Sequence, residues 1–182
     1  MRKQLTTTVI FCIVLNLLFY ICNAQDTWVS YSKAISVKGY EGHNFRLTAM
    51  VKSDLDDDSA SAHLWARVDK EKGDGFFDNM DDRPIRTSDW KLYTVQGKID
   101  TGANRLVFGL YCMFNGRFYF DNMNLEIESG KNKWEKVYAA NFDDGAIDSL
   151  QEGIQTAQYG LNAKYSTQIV NADNGANKVL LV

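Results

Sequence analysis

The sequence predicts an all-β protein that folds as an antiparallel β-sandwich, and three observations carry this prediction. Apolar and polar residues alternate along several segments, which is the period of a strand with one buried face. Aromatic residues make up 13% of the chain and proline occurs once, a composition typical of packed strands. Glycine, asparagine and aspartate cluster between the alternating segments, where turns are expected. Because a sheet with one apolar face must bury that face against another layer, we expect two stacked sheets.

The clearest alternation runs from residue 90 to residue 127 and predicts three consecutive strands. These strands are expected at Trp90–Ile99, Arg105–Met113 and Arg117–Ile127. We expect them to form a meander in which Asn115-Gly116 is a hairpin turn, since both residues tolerate positive φ. The apolar residues change phase across Asp121-Asn122 in the third strand, which predicts a bulge or a bend.

Two earlier segments, residues 45–52 and residues 60–68, also alternate and predict half-buried strands. The face of the second segment that lies opposite its apolar residues presents His63, Trp65 and Arg67 in a row, spaced about 7 Å apart. An outward-facing Trp65 is a candidate platform for stacking on a sugar ring or an aromatic ligand. The alternative is that another loop covers the indole, since tryptophan is highly buried on average.

A long connection at Asp69–Asp89 follows these strands, and loops of this length are often functional or packed by their own side chains. We expect Phe76 and Phe77 to lie beneath the loop. Asp78 and Arg83 belong to a group of closely spaced charges of both signs, which is a candidate polar lip of a binding site. The alternative is a turn that its own ion pairs hold in place.

The N-terminus has the pattern of a secretory signal peptide. Arg2 and Lys3 precede the apolar run Val9–Cys22, and Ala24 is a small residue at a suitable cleavage position. The run is shorter than the roughly 20 residues that span a bilayer, so we predict a signal peptide at residues 1–24 and no membrane span after cleavage. An uncleaved anchor and lipidation at Cys22 are the alternatives. The mature chain is therefore expected to be secreted, periplasmic or attached to the cell surface.

Charge and cysteine content limit the classes of function. The formal net charge is −3, and removal of the basic signal peptide makes it more negative, which argues against a nucleic-acid partner. Cys112 is the one cysteine that follows the predicted cleavage point, so it has no partner for an internal disulfide. Its position in the apolar file of a predicted strand indicates a buried side chain that acts as a small hydrophobe.

The sequence shows no catalytic constellation. His43 and His63 lie on separate segments, and there is no nucleophile elbow, histidine-rich metal motif or glycine-rich phosphate loop. Four aspartates between residues 54 and 58 lack the spacing of an EF-hand loop, so we expect a solvated loop there. We therefore expect neither enzymatic activity nor a cofactor. A glycosidase is the enzymatic alternative, since two carboxyl groups are sufficient for that chemistry.

A resemblance to a known family is carried by five segments, FRLTAMVKSD, AHLWARVD, FFDNMDDRPI, DWKLYTVQGKID and RLVFGLYCMFNGRFYFDNMNLEI. Together they resemble the galactose-binding-like jelly roll of carbohydrate-binding modules. More closely, they are similar to the N-terminal jelly-roll region that precedes C-terminal-processing serine peptidase domains in secreted proteins of Bacteroidetes-type bacteria. The resemblance covers Trp28 to Ile127, and its specific parts are FFDNMDDRPI and the closing FYFDNMNLEI.

The resemblance implies a domain division and a site. A jelly-roll β-sandwich at residues 25–128 would be followed by a linker and a partial second β-region at residues 129–182. In such jelly rolls a glycan binds on the face of one sheet, which implies that Tyr111 joins the row of His63, Trp65 and Arg67. Asp121 matches an aspartate that holds a structural calcium in such relatives.

Two functions follow from this resemblance. The first is a non-catalytic binding module, with a carbohydrate as its ligand. The alternative is an accessory or protein-interaction domain that precedes a secreted serine peptidase and binds no glycan.

Overall fold

The computed structural model describes residues 27–143, 155–159, 165–172 and 177–182 of the chain, and the predicted signal peptide lies outside them. The described residues contain strands but no helix, so they include no helix of the length and apolarity needed to cross a membrane. In chain order the strands are β1 Trp28–Ser36, β2 Asn44–Leu55, β3 Ser61–Lys70, β4 Phe77–Asp78, β5 Lys91–Lys98, β6 Ala103–Met113, β7 Gly116–Gly130, β8 Lys133–Ala140, β9 Gln155–Tyr159, β10 Gln168–Asn171 and β11 Lys178–Leu181.

The strands form two antiparallel sheets. Sheet A has the strand order β4-β3-β6-β1-β9, and sheet B has the order β10-β11-β7-β2-β5, with β8 also paired to β7. The inner faces of the two sheets pack against each other around a shared hydrophobic core. The predicted antiparallel β-sandwich is therefore confirmed.

The core consists of the apolar residues that alternation places on one face of each strand. The apolar file of β2, from Phe45 to Val51, is fully buried. The same is true of nearly all of the apolar file that begins at Ala60, just before β3, and ends at Val68. Cys112 in β6 is buried as predicted, and burial raises the pKa of its thiol well above the ordinary value. Burial of one large aliphatic or aromatic side chain contributes about 1.5–3 kcal/mol, so this core is the main source of stability.

The predicted meander is wrong, because its three strands do not lie in one sheet. β5 and β7 lie on either side of β2 in sheet B, whereas β6 lies between β1 and β3 in sheet A. Phe114 and Asn115 therefore connect the sheets instead of turning a hairpin. Phe114 has a φ of 58° and donates its N–H to the carbonyl oxygen of Thr27 at 2.9 Å. An alternating pattern specifies the buried face of a strand but not its neighbour, so both topologies bury the same residues.

The irregularity predicted at Asp121-Asn122 is confirmed as a β-bulge in β7. The register with β2 changes from Thr48 opposite Asn124 to Met50 opposite Asp121, which leaves one extra residue on β7. Asn122 has a φ of 49°, a left-handed conformation that asparagine tolerates better than most residues. The bulge shifts the phase of β7, so that apolar residues on both sides of it enter the core.

The described strands beyond residue 128 belong to the same two sheets. β7 continues to Gly130 and forms a hairpin with β8, so the segment predicted as a polar linker lies within sheet B. β9 pairs with β1 in sheet A, and β11 pairs with β7 in sheet B. Phe118 and Val182 exchange backbone hydrogen bonds at 2.9 and 3.0 Å. The predicted boundary at residue 128 therefore coincides with no break in sheet B, and residues 178–181 form a strand of that sheet.

The long connection between β3 and β5 runs along the outer edge of β3. Val68 donates its N–H to the carbonyl oxygen of Phe76 at 2.8 Å. Further along the loop, Ala62 and Ile85 exchange backbone hydrogen bonds at 2.9 and 3.0 Å. β4 pairs with β3 between these two points. Backbone pairing therefore holds the loop against the sheet.

Candidate functional site

The predicted site residues of β3 lie on the outer face of sheet A. The outward-facing file of β3 contains residues 61, 63, 65, 67 and 69, and β6 places residues 113, 111, 109, 107 and 105 directly opposite them. Antiparallel register therefore brings His63 opposite Tyr111 and Trp65 opposite Gly109. β1 pairs with the other edge of β6 and completes this part of the face.

A groove of about 490 Å³ opens on this face. Three of the predicted residues, Trp65, Arg67 and Tyr111, line it. The other lining residues are Trp28, Ser30, Phe77, Asn79, Asp81 and Met113. Four of these nine residues are aromatic, and the others supply hydroxyl, amide, thioether and charged groups. Apolar rings beside a few placed polar groups are the composition of sites that bind small ligands.

The indole of Trp65 lies opposite a position that cannot carry a side chain. A Cβ built on Gly109 would overlap the carbonyl oxygen of Tyr31 and would lie 2.9 Å from the Cα of Ser32. Glycine is therefore required for β1 and β6 to pair in this register, and no side chain crosses from position 109 toward Trp65. The indole is half-buried, and its Nε1 is buried without a hydrogen-bond partner among the described residues.

Tyr111 is held from two sides. Its ring stacks on the imidazole of His63, with ring centroids 4.1 Å apart and an angle of 14° between the planes. Its hydroxyl donates a hydrogen bond to the carboxylate of Asp81. Burial raises the pKa of the Tyr111 hydroxyl, and the hydrogen bond and charge of Asp81 raise it further, so the hydroxyl stays protonated. A ring fixed before binding loses less entropy when a ligand arrives.

His63 is not presented to solvent, which corrects the expectation of an exposed imidazole. Nδ1 donates to the carbonyl oxygen of Asn79 at 3.2 Å, and Nε2 lies 2.8 Å from Ser61 Oγ, which donates to it when the imidazole is neutral. Burial lowers the pKa of His63 and outweighs the opposing effect of the hydrogen bond to Asn79. The distance between Ser61 and His63 suits a nucleophile and its base, but both side chains are only 2% exposed. A substrate cannot reach them, and the imidazole supports Tyr111.

Asp78 and Arg83, the predicted polar lip, form an ion pair with each other, and neither lines the groove. Arg83 also donates to Asp82 at 2.6 Å, and the Met80 N–H donates to Asp78 at 2.9 Å. Burial by itself would raise the pKa of Asp78, but the contacts with Arg83 and the Met80 amide outweigh it and lower the pKa. This geometry favours the alternative of a turn fixed by its own ion pairs. Because these contacts hold the turn in position, Asp81, which belongs to the same turn, lines the groove.

The two phenylalanines of the loop have different environments. Phe76 packs edge-on against Phe45 with ring centroids 5.2 Å apart, as predicted. Phe77 is 59% exposed, so the expectation that it lies beneath the loop is wrong. Pairing of β4 with β3 places Phe77 opposite Arg67, at the rim of the groove. Phe77 therefore adds an exposed aromatic ring to the lining of the groove.

A second groove, of about 870 Å³, continues from the first. The two grooves share Arg67 and Phe77. Beyond these shared residues the second groove is lined by charged side chains of both signs, including Asp69, Lys70 and Arg105. The outer face of sheet A therefore changes from aromatic to charged along β3.

Asp121, the predicted calcium ligand, is buried in β7, and its carboxylate accepts hydrogen bonds from N–H groups. The donors are the backbone and side-chain amides of Asn122, at 2.7 and 2.9 Å, and the side-chain amide of Asn177, at 2.8 Å. Calcium is bound by oxygen atoms, so this set of donors does not fit a cation. The described residues also include no group of three or more His, Cys, Asp or Glu side chains arranged to hold a metal ion.

Six lining residues were not among the predicted site residues, and Trp28, Phe77 and Asp81 contribute most of the chemistry that they add. Asp81 belongs to the charged group that the sequence indicated as a candidate lip, but it was not singled out as a site residue. Trp28 lies two residues before Ser30 in β1, so both face outward. Alternation along this strand could therefore have indicated Trp28. Phe77 and Asp81 reach the face only because the loop pairs along β3, and no pattern in the sequence indicates that path.

A scan with models of protein families finds no family that matches the chain, and a search of curated proteins finds no match either. The resemblance to galactose-binding-like jelly rolls therefore stays an expectation. The function of this face has to be argued from its own geometry and chemistry.

Proposed function

We propose that the chain is a non-catalytic extracytoplasmic binding module whose ligand is a carbohydrate held on the outer face of sheet A. The observation that carries this proposal is the groove in which Trp65, Tyr111 and Phe77 lie beside Asp81 and Arg67. A sugar ring has an apolar face of C–H groups and a rim of hydroxyls. An aromatic platform flanked by planar polar side chains complements both.

Each side of the groove has its own role in this mechanism. Trp65 stacks on the sugar ring, and Tyr111, fixed by His63 and Asp81, limits where the ring can lie. The carboxylate of Asp81 accepts hydrogen bonds from hydroxyls, and the guanidinium of Arg67 donates them. These steps involve stacking and hydrogen bonding alone, so the proposed role requires no transfer of a proton or an electron.

The extracytoplasmic part of the proposal rests on the pattern of residues 1–24, a basic start followed by an apolar run and a small residue. A glycan-binding module is useful where polysaccharides are found, outside the cytoplasm. The same location applies to the second candidate function below.

The proposal is tested by measuring binding of residues 25–182 to a glycan array and then, by calorimetry, to the best oligosaccharide. Trp65→Ala is expected to lower the affinity at least about tenfold, which is about 1.4 kcal/mol, because truncation removes the stacking surface. Affinity that is unchanged in this variant would remove the site from consideration.

Trp134→Ala is the matched control for this variant. Trp134 lies on sheet B, where the guanidinium of Arg46 is 4.3 Å from the centroid of its ring. The variant removes the same side chain from the opposite face of the sandwich. We expect glycan affinity equal to that of the unaltered chain, and an equal loss in both variants would indicate a general effect on folding.

The second candidate function is an accessory domain that contacts a neighbouring protein or a downstream serine peptidase and binds no glycan. The burial of the Trp65 Nε1 favours it, because this part of the indole is already covered. Sequencing the DNA that follows the Val182 codon tests this function. A reading frame that continues into a peptidase domain, together with a negative glycan array, would support it over carbohydrate binding.

A further inference from the structure

The charged groove is a direct continuation of the aromatic groove. Trp65, Arg67 and Asp69 occupy successive positions of the same outward-facing file of β3, so Trp65 and Asp69 are about 13 Å apart along the strand. This distance is longer than one sugar ring. A glycan chain stacked on Trp65 and running along β3 therefore reaches the second groove.

Cations outnumber carboxylates in the lining of this second groove. Arg67, Lys70 and Arg105 are opposed by Asp69 and Asp74. Lys70 Nζ donates to the backbone carbonyl oxygen of Asp74 at 2.9 Å, so its charge is not neutralised by that contact. The groove therefore suits an anionic group better than a neutral one.

Asp69 orients both guanidinium groups. It accepts from Arg67 Nε at 2.6 Å and from Arg105 Nε at 2.9 Å, and each guanidinium also donates to it through Nη2. Burial by itself would raise the pKa of Asp69, but the hydrogen bonds and charges of Arg67 and Arg105 outweigh it and lower the pKa. The carboxylate therefore stays ionised and keeps both guanidinium groups in place.

The two guanidinium groups keep donors that Asp69 does not use. A guanidinium has five N–H groups, and none of the described residues accepts a hydrogen bond from the Nη1 of Arg67 or of Arg105. The side chains are 47% and 52% exposed, so a ligand can reach them. Two oriented guanidinium groups with remaining donors form a recognition site for carboxylate or sulfate oxygens.

We infer that the glycan bound on this face is acidic, and that its carboxylate or sulfate ester binds in the second groove to the donors of Arg67 and Arg105 that Asp69 does not use. This inference rests on the proposed function, because the aromatic groove holds the remainder of the same chain. It adds the class of ligand, an anionic oligosaccharide longer than one sugar ring.

The test compares oligosaccharides that differ only in charge, by calorimetry at about 50 mM salt, where surface charges are weakly screened. The probes are oligogalacturonate with its methyl ester, and a sulfated galactan oligosaccharide with its desulfated form. In at least one pair, the acidic form is expected to bind about tenfold more tightly. The pair that shows the difference identifies the anion as a carboxylate or a sulfate.

Arg105→Gln should remove most of this preference and leave affinity for the neutral form unchanged. Lys70→Gln provides a second variant in the same groove. Arg117→Gln is the matched control, because Arg117 is 63% exposed on sheet B and its nearest carboxylate oxygen, on Asp54, is 3.8 Å away. Raising the salt to about 300 mM should weaken binding of the acidic form of the unaltered chain and leave the neutral form unaffected.

The possible outcomes separate this inference from the proposed function. Equal binding of acidic and neutral forms, lost in Trp65→Ala, overturns the inference and leaves the proposed function standing. An acidic preference that survives Arg105→Gln and Lys70→Gln overturns the placement of the anion. Acidic binding that Trp65→Ala does not weaken overturns the proposed function and the inference together. No binding of any of these probes overturns the inference, and the glycan array decides the proposed function separately.

Discussion

The outer faces of sheets A and B both carry aromatic side chains, and the two sets of rings have different neighbours. On sheet B, the guanidinium of Arg46 lies 4.3 Å from the ring centroid of Trp134, and Lys52 Nζ lies 4.9 Å from that of Tyr119. On sheet A, the cation–π contacts among the described residues do not involve Trp65 or Tyr111, which instead line a groove.

This difference shows that an exposed ring is not by itself a binding site. A cation over an exposed ring contributes about 0.5–1 kcal/mol, and a ligand would have to displace it before stacking on the ring. On sheet A, Tyr111 stacks on the neutral imidazole of His63 and Trp65 lies opposite Gly109, and neither ring has a cation over it among the described residues. Aromatic rings that line a groove and have no cation over them are therefore a better indication of a site than the number of aromatic residues.

The largest effect that distinguishes the two sheets is expected from Gly109→Ala. The new methyl group would overlap the carbonyl oxygen of Tyr31, so β1 and β6 would have to separate beneath Trp65. We expect the free energy of unfolding to fall by about 2–3 kcal/mol, as for other over-packed positions, when measured by urea denaturation.

Gly130→Ala on sheet B is the control for this substitution, because a Cβ built there meets no atom within 4 Å. We expect its unfolding free energy to change by less than about 0.5 kcal/mol. Equal losses in the two variants would mean that sheet A imposes no special constraint at position 109.

A smaller effect is expected from Tyr111→Phe, which keeps the ring stacked on His63 and removes the hydrogen bond to Asp81. The unfolding free energy should fall by about 1 kcal/mol, the typical net contribution of one such bond. Glycan affinity should fall less than in Trp65→Ala, because the stacking platform remains. Urea denaturation and calorimetry measure the two quantities.

Tyr93→Phe in β5 of sheet B is the matched control for this hydroxyl. Burial raises the pKa of Tyr93, and its hydroxyl makes no hydrogen bond with any of the described residues. Removing it should change the unfolding free energy by less than about 0.5 kcal/mol. If Tyr93→Phe lowers the unfolding free energy as much as Tyr111→Phe does, the hydrogen bond to Asp81 does not stabilise the groove.

The smallest effect concerns pH. Burial lowers the pKa of His63 below its ordinary value of 6.5, so the unfolded chain binds a proton at a higher pH than the folded chain does. The contribution of His63 to the unfolding free energy is therefore fully present above about pH 6.5 and is lost as the pH falls toward the folded-state pKa. The unfolding free energy should decrease between about pH 7.5 and pH 5.5 in the unaltered chain and decrease less in His63→Gln.

An NMR titration of the His63 ring signal provides the direct measurement. Its midpoint should lie below 6.5, the ordinary value for histidine. A His43→Gln variant assigns the signals, since the chain has two histidines. A midpoint above 6.5 would show that the imidazole beneath Tyr111 is not buried in its neutral form.

Most of the core could be predicted from the sequence, and the strand order could not. Alternation from Phe45 to Val51 and from Ala60 to Val68 correctly identified buried faces, and the phase change at Asp121 correctly identified a bulge. The prediction that β6 and β7 form a hairpin was wrong because a two-residue connection can also join two sheets. The inner faces of both strands are buried in either case, so the pattern does not distinguish the two topologies.

The candidate site was predictable only in part. Alternation placed Trp65 and Arg67 on one face, and Tyr111 was added through the resemblance to jelly rolls. The pairing of β3 with β6 that brings Tyr111 beside them was not predicted. The burial of His63 was not predictable, because it depends on the loop that carries Asn79. That loop passes over the outer face of sheet A through contacts between distant positions in the chain.

Two kinds of physical information are therefore separable in this protein. Which side of each strand is apolar is a local property with a period of two residues, and reading along the chain was enough to find it. Three other features depend on residues far apart in the chain. They are the pairing of the strands, the set of rings that line the groove and the charges that meet at Asp69. Those features required the folded structure, because packing and pairing energies decide them only when the two sheets come together.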